Sequence, residues 1–198
     1  MARISADECD ERLRTFEREW FRIEGPDGCA LGAELAEFER FRAGLPRPPS
    51  EIDWWKDWLD QTAGITQQGK AIIRIRVIPD DGPTEYQRWL IWAGPWYARA
   101  GMNIRYMTRS RALSLGLPPG VDWSLLDSRC VIVHEFNKVG EVTGWDLLTD
   151  AGTVAEYVRW RDIAVQNATL ADPGRVALTE GTAHDTARQP RGTAPAAA

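Results

Sequence analysis

Apolar residues along the first 170 positions follow either a helical or an alternating period, and the changes of period mark out the elements. The stretch DECDERLRTFEREW predicts a short helix with Leu13 and Phe16 on one side. EWFRIEG then alternates as a strand does and stops at the turn signal Pro26-Asp27-Gly28. In ELAEFERFRAG, Leu35, Phe38 and Phe41 have helical spacing; Gly44 and Pro46 end that element, and LPRPPS is a stiff connector. Ser50, with Asp53 three residues on, is an N-cap signature for a helix over EIDWWKDWLDQTAGITQQG. Its stripe runs through Ile52, Trp55, Trp58, Leu59 and Ala63, with Trp54 off-centre and Gly69 as the stop.

AIIRIRVIP is the strongest strand pattern in the chain. Ile73, Ile75 and Val77 share one face, and Ile72, Arg74, Arg76 and Ile78 share the other. Two arginines on one face of a central strand are not core residues unless paired, so they reach an exposed edge or a polar pocket. After the turn PDDGP, TEYQRWLIWA predicts a helix with Glu85 in its first turn, interrupted near Gly94 by Pro95. WYARAG finishes it, and NIRYMT reads as the next strand, giving the right-handed strand–helix–strand crossover of α/β proteins. SRALSLGLPPG reads as a connector. WSLLD and CVIVHEF form a hairpin through Asp127-Ser128-Arg129, and a further strand follows near EVTGWDLL. Thr153 and Glu156 make a capping box for a last helix over TVAEYVRWRDIAVQNA. The expected fold is one α/β domain over residues 1–170, with a single mixed or mostly parallel central sheet flanked by helices. Residues 171–198, rich in Ala, Thr, Gly, Pro and Arg, bury too little to offset their ordering entropy and read as a disordered tail.

Composition changes this picture in three places. Ten tryptophans in 198 residues call for partners for their N–H groups, in core, pocket or interface, and most are expected in the core. A formal net charge of −5 weighs against general nucleic-acid or anionic-membrane binding. Cys9, Cys29 and Cys130 form no metal-ligand spacing, and with no secretory signal or long apolar run the expected location is the cytoplasm, with reduced thiols.

The ordered series WWKDWLD, RIRVIP, TEYQRW, AGMNIRYMTRSRA and DWSLLD, with a closing helix after it, resembles an uncharacterised actinobacterial family over roughly residues 10–170. The resemblance implies similar length and genes often placed beside helix-turn-helix regulators. Leu90, Met102 and Ser124 depart from the family pattern, in which acidic or aromatic residues are common at those places. The element order also resembles half of a phospholipase D-like fold. That superfamily's signature is a His, a Lys two residues later and a distant Asp. Here Glu135 and Phe136 follow His134 and the nearest lysine is Lys138, so the resemblance implies a fold without that catalysis.

Bottom-up, the acid–base candidates are His134, Glu135 and Lys138, but His134 and Glu135 point to opposite faces of one strand. His184 stands alone in the tail, and scattered His and Cys leave no zinc site. No GxxxxGK[ST] or GxGxxG loop supports a nucleotide cofactor, and Ser114, Ser124 and Ser128 lack a GxSxG context. The stronger cluster is Arg74, Arg76, Glu85, Tyr86, Arg88 and Arg105, with His134, expected beyond the carboxyl ends of the strands. A buried Arg–Glu pair that fixes the sheet explains the same arginines. The expectation is a non-catalytic binding or regulatory module, without cofactor or metal, for a protein partner such as a helix-turn-helix regulator or for a small molecule. The other reading is an enzyme of specialised metabolism, a hydrolase or transferase acting on a phosphoester or aminoacyl-tRNA substrate.

Overall fold

A computed structural model describes residues 1–25, 32–118, 120–138 and 140–170. The expected tail, the turn at Pro26-Asp27-Gly28, Cys29 and His184 lie outside the described residues. The chain runs β1 (Ala2–Ile4), α1 (Ala6–Thr15), β2 (Glu19–Glu24), α2 (Ala33–Arg42), α3 (Asp53–Gln67), β3 (Ala71–Ile78), α4 (Glu85–Trp92) and α5 (Gly94–Arg99). It continues through β4 (Asn103–Thr108), α6 (Arg109–Ser114), β5 (Asp122–Leu126), β6 (Cys130–Phe136), β7 (Val142–Leu148), α7 (Ala151–Asn167) and β8 (Thr169–Leu170). These strands form one mixed sheet in the order β1-β7-β6-β5-β2-β3-β4-β8. The run β2-β3-β4 is parallel and the remaining pairings are antiparallel, so of the two expected sheet types the mixed one is found.

Alternation along the strands gives the sheet two buried faces. Phe21, Ile23, Ile75, Val77, Met107, Trp123, Leu125 and Val131 pack under α6 and α7. Trp20, Ile72, Ile104, Leu126, Ile132 and Leu147 pack on the other face against α1, α3, α4 and α5 through Cys9, Trp55, Leu59, Trp89, Ala93 and Tyr97. Trp20, Trp55, Trp89 and Trp123 are buried, while Trp54, Trp58, Trp92, Trp96, Trp145 and Trp160 are partly buried at the margins of the two cores. Four of the ten rings are therefore in the core and six are only partly covered, fewer in the core than expected.

Local chemistry sets the element ends. Pro95 falls in the first turn of α5, where its missing N–H leaves no gap, and the helix breaks at Ala93 as expected. Three boundaries depart from the sequence reading. Ser50 lies in a 3-10 turn (Pro49–Glu51) imposed after Pro48, so α3 starts at Asp53 without a side-chain cap. Asp150 caps α7 three residues ahead of Thr153 by accepting from the Thr153 amide at 2.9 Å. The expected connector after β4 contains α6, started by the Thr108 hydroxyl accepting from Arg111; only Ala112 in it is buried, so it shows no apolar stripe. The edge strands β1 and β8, three and two residues long, are too short to display a period.

The β5–β6 hairpin closes as expected through Asp127-Ser128-Arg129, with Asp127 and Ser128 both in the left-handed region (φ 54° and 57°) that gives the turn the twist of its strands and the Arg129 amide donating to the Leu126 carbonyl at 2.9 Å. The Asp127 carboxylate accepts from the amides of Glu17, Arg18 and Glu19 at 2.8, 2.7 and 3.0 Å. One side chain thereby pins the α1–β2 junction to the hairpin and aligns β2 beside β5.

Candidate functional site

Successive rows across the helix-covered face change in character along β2. The first joins Leu126, Trp20 and Ile72 and is apolar. Two residues on, the row reads Leu147, Ile132, Ser124, Arg22, Arg74 and Ile104. At the carboxyl ends of β2 and β3, Trp145, His134 and Asp122 lie on the hairpin side and Glu24, Arg76 and Tyr106 on the parallel side. Above this polar end lies a cavity of about 260 Å³ whose walls include Cys9, Asp10 and Leu13 of α1, Glu34 of α2, Tyr86, Gln87 and Leu90 of α4, and Tyr97 of α5. Its position beyond the carboxyl ends of parallel strands is where open α/β sheets hold ligands.

The floor is an ion-pair lattice. Arg22 binds Asp122 through both oxygens, Nε at 2.8 Å and Nη2 at 3.0 Å. One carboxylate, Glu24, accepts from Arg74 Nη1 at 2.8 Å and from Arg76 Nε at 2.7 Å. Arg76 also donates to the Leu90 carbonyl at 3.2 Å. The Arg74 guanidinium lies 5.1 and 5.2 Å from the ring centres of Trp20 and Trp58, and that of Arg76 lies 5.6 Å from Tyr97. Burial pushes the Glu24 carboxyl up, but Arg76, Arg74 and Arg22 more than offset it and hold Glu24 well below the usual carboxylate range. Arg76 is raised despite its burial, because Glu24 compensates its charge. Burial lowers Arg74 beyond what Glu24 restores, leaving it the less compensated cation.

His134, Ser124, Cys9 and Tyr97 at this end are held away from acid–base or nucleophilic use, while Asp10, Glu34 and Tyr86 also line the cavity. Burial first, then the charges of Arg22 and Arg74, depress the His134 imidazole to about 2, so it is neutral. Its Nε2 lies 3.1 Å from Ser124 Oγ, which accepts from Trp20 Nε1 at 3.1 Å. Ser124, His134 and Asp122 are thus neighbours of the residue types found in hydrolytic triads. The hydroxyl, however, is wholly buried and does not line the cavity, and Asp122 gives its oxygens to Arg22. Burial pushes the Cys9 thiol up to about 11 and the Tyr97 phenol up to about 12, so both stay protonated. Among the described residues no group of three or more His, Cys, Asp or Glu could hold a metal ion.

Of the residues singled out in the sequence, Arg74, Arg76, Tyr86 and His134 come together at this cavity. Glu85, Arg88 and Arg105 do not. Glu85 points outward from the first turn of α4 to Arg42 at 3.1 Å. Arg88 folds back on the Pro83 carbonyl at 2.8 Å. Arg105, one residue out of phase with Tyr106, lies on the opposite sheet face and donates to the Val165 carbonyl of α7 at 2.7 Å. Glu135 pairs at the surface with Arg3, and Lys138 is exposed beyond the end of β6. Arg22, Glu24 and Asp122 escaped the sequence reading. The signal for two of them is in EWFRIE, where Arg22 and Glu24 alternate against Phe21 and Ile23 as Arg74 and Arg76 do in the next strand.

The chain belongs to the DUF6879 family, a domain of unknown function, whose sequence profile matches residues 7–172. No curated protein matches it. Among the described residues no helix is long and apolar enough to cross a membrane.

Proposed function

We propose that this chain is a non-catalytic binding module of the cytoplasm, and that a small ligand held in the cavity over the ends of β2 and β3 is what it recognises. The observation that carries this reading is the state of the lining. Three guanidiniums are fixed by Glu24 and Asp122 around an open volume, while the histidine and the thiol are held in unreactive protonation states. Preorganised donors around an enclosed space favour recognition. A hydrolase or transferase needs a competent base or nucleophile within reach of substrate; Ser124 does not line the cavity, the Cys9 thiol stays protonated, and His134, which does line it, is a very weak base.

A protein partner is favoured by a separate observation. Phe41, Trp92 and Trp96 form a continuous, partly covered strip on α2, α4 and α5, with ring centres 5.8 and 5.3 Å apart. A helix-turn-helix regulator in an actinobacterial host is the partner class to which the sequence resemblance points, with ligand occupancy controlling the association.

Native mass spectrometry of the full chain, purified without denaturation, tests the binding reading. A stoichiometric small-molecule adduct is expected, and Leu90→Trp, which narrows the cavity, should lose it while remaining folded. A chain that carries nothing, and whose melting temperature no metabolite fraction raises, overturns it.

A further inference from the structure

The donors left over in the cavity have a consistent chemistry. Trp20 Nε1 can only donate, so Ser124 Oγ accepts from it, and the hydroxyl's own proton is free to turn toward His134 Nε2. In the tautomer that accepts at Nε2, the neutral imidazole carries its proton on Nδ1 and His134 is a donor on the cavity wall. Arg76 commits Nε and Nη1 to Glu24 and Leu90, and Arg22 commits its fork to Asp122. Arg74 gives one bond to Glu24, and its Nε is cut off from solvent without a partner among the described residues. Among the described residues the buried floor holds three guanidiniums against two carboxylates; Arg74 Nε is closed off from the cavity as well, so the donors that can face a ligand are the Nη groups of Arg74 and the His134 ring.

The rest of the wall restricts what the floor can take. Leu13, Leu90, Val142 and Trp145 supply apolar surface. Asp10, which is exposed, and Glu34, which is partly exposed, place negative charge nearer solvent and oppose a dianion. We infer that the cavity takes a small monoanionic carboxylate, its acid group on Arg74 and His134 and its apolar body against Leu13, Leu90, Val142 and Trp145. A carboxylate matches planar guanidinium donors and supplies acceptors for them. A phosphate monoester meets the same donors with a second charge that the rim repels. This inference rests on the binding reading above and adds the class of ligand.

Three probes sharing one branched aliphatic body separate the possibilities: 4-methylpentanoate, its neutral amide 4-methylpentanamide, and the dianion 3-methylbutyl phosphate. Binding to the full chain is read from saturable shifts in two-dimensional amide NMR spectra. The carboxylate is expected to bind at least about tenfold more tightly than the amide, since charge-assisted bonds exceed neutral ones by that order. The phosphate should bind no better than the amide. Arg74→Gln should abolish the preference for the carboxylate, and Arg74→Lys, which keeps the charge and loses the fork, should retain part of it; melting curves establish that both are folded. Equal binding of amide and carboxylate, a tighter phosphate, or a preference that survives in folded Arg74→Gln overturns the assignment. If no probe binds, the molecule extracted from denatured wild-type protein decides. A carboxylic acid supports the inference, a molecule without one overturns it and leaves the binding reading standing, and an empty extract overturns both.

Discussion

Replacing Glu24 by glutamine keeps the side chain's shape and removes its charge. In the native protein this carboxylate holds Arg74 and Arg76, whose side chains are 13% and 3% exposed, at 2.8 and 2.7 Å. Glutamine can accept one of these bonds through its oxygen, but its amide N–H groups then face the second guanidinium. One charge-assisted bond, worth about 1.5–3 kcal/mol, is lost. A cation with little access to water is left uncompensated, and breaking a buried pair from one side costs about 3–5 kcal/mol in all. That is a large part of the roughly 5–15 kcal/mol by which domains are stable. Urea denaturation followed by tryptophan fluorescence measures it directly. Glu135→Gln, which removes the surface partner of Arg3 where both side chains are about half exposed, serves as control and should cost under about 1 kcal/mol. The double variant Glu24→Gln/Arg74→Gln should be less destabilised than the sum of the single changes by more than about 1 kcal/mol, because it removes the stranded charge with its partner. A Glu24→Gln loss below about 1 kcal/mol, or strict additivity, refutes the lattice as described. The pH dependence has a fixed sign. The folded carboxyl lies below its ordinary value of 4.5, so its contribution is complete above that pH and is lost as the solution is acidified below it.

Asp127→Ala strands the amides of Glu17, Arg18 and Glu19 and should cost about 2–4 kcal/mol by chemical denaturation, with Asp127→Asn losing less; a change under about 1 kcal/mol contradicts the pinning role. His134 stays neutral in the folded chain while its unfolded counterpart takes a proton near 6.5, so stability falls with pH below that value by roughly 1.4 kcal/mol per pH unit. The direct check is NMR of the His134 ring, which should not titrate between about pH 5 and 8; a midpoint near 6.5 contradicts that neutral state. Gly101 has φ +86°, and a Cβ there would meet Thr66 Oγ1 at 2.5 Å, so Gly101→Ala should cost about 2 kcal/mol or more and loosen the Thr66 bond to the Ala100 carbonyl; an unchanged melting temperature contradicts that packing.

Period and turn chemistry made the central elements legible. The alternation of AIIRIRVIP, the Gly94-Pro95 break and the Asp127-Ser128 hairpin appear in the structure where the chain's own chemistry puts them. Elements without a period did not show. The short edge strands carry no repeat, and α6 buries only Ala112. The site was half legible for a related reason. Arg74 and Arg76 stand out because an apolar strand surrounds them, and their need for buried partners follows from charge alone. The identity of those partners depends on which strand lies alongside. Glu24 becomes the common acceptor only because β2 pairs parallel to β3 with Glu24 opposite Arg76, and no local pattern encodes that register. Glu85 looked equivalent in sequence, yet the first turn of α4 directs it to Arg42.

The distribution of charge within one sheet face is what the proposed binding role would require. A well-packed apolar replacement for a buried ion pair is often neutral or stabilising by about 1–4 kcal/mol, so stability alone does not favour arginine on these strands. The same strands show that apolar filling is available to them: Trp20, Ile72 and Leu126 occupy the same face two residues earlier and bury well. The change to Arg22, Arg74 and Ser124, and then to Glu24, Arg76, Asp122 and His134, takes place together on β2, β3, β5 and β6, at the end of the sheet where the cavity opens. Pairs serving only to fix strand register could sit anywhere along the face and would not require an open volume beside them. Here the pairs border that volume. Three of the chain's buried cations are therefore gathered where a ligand could share their charge.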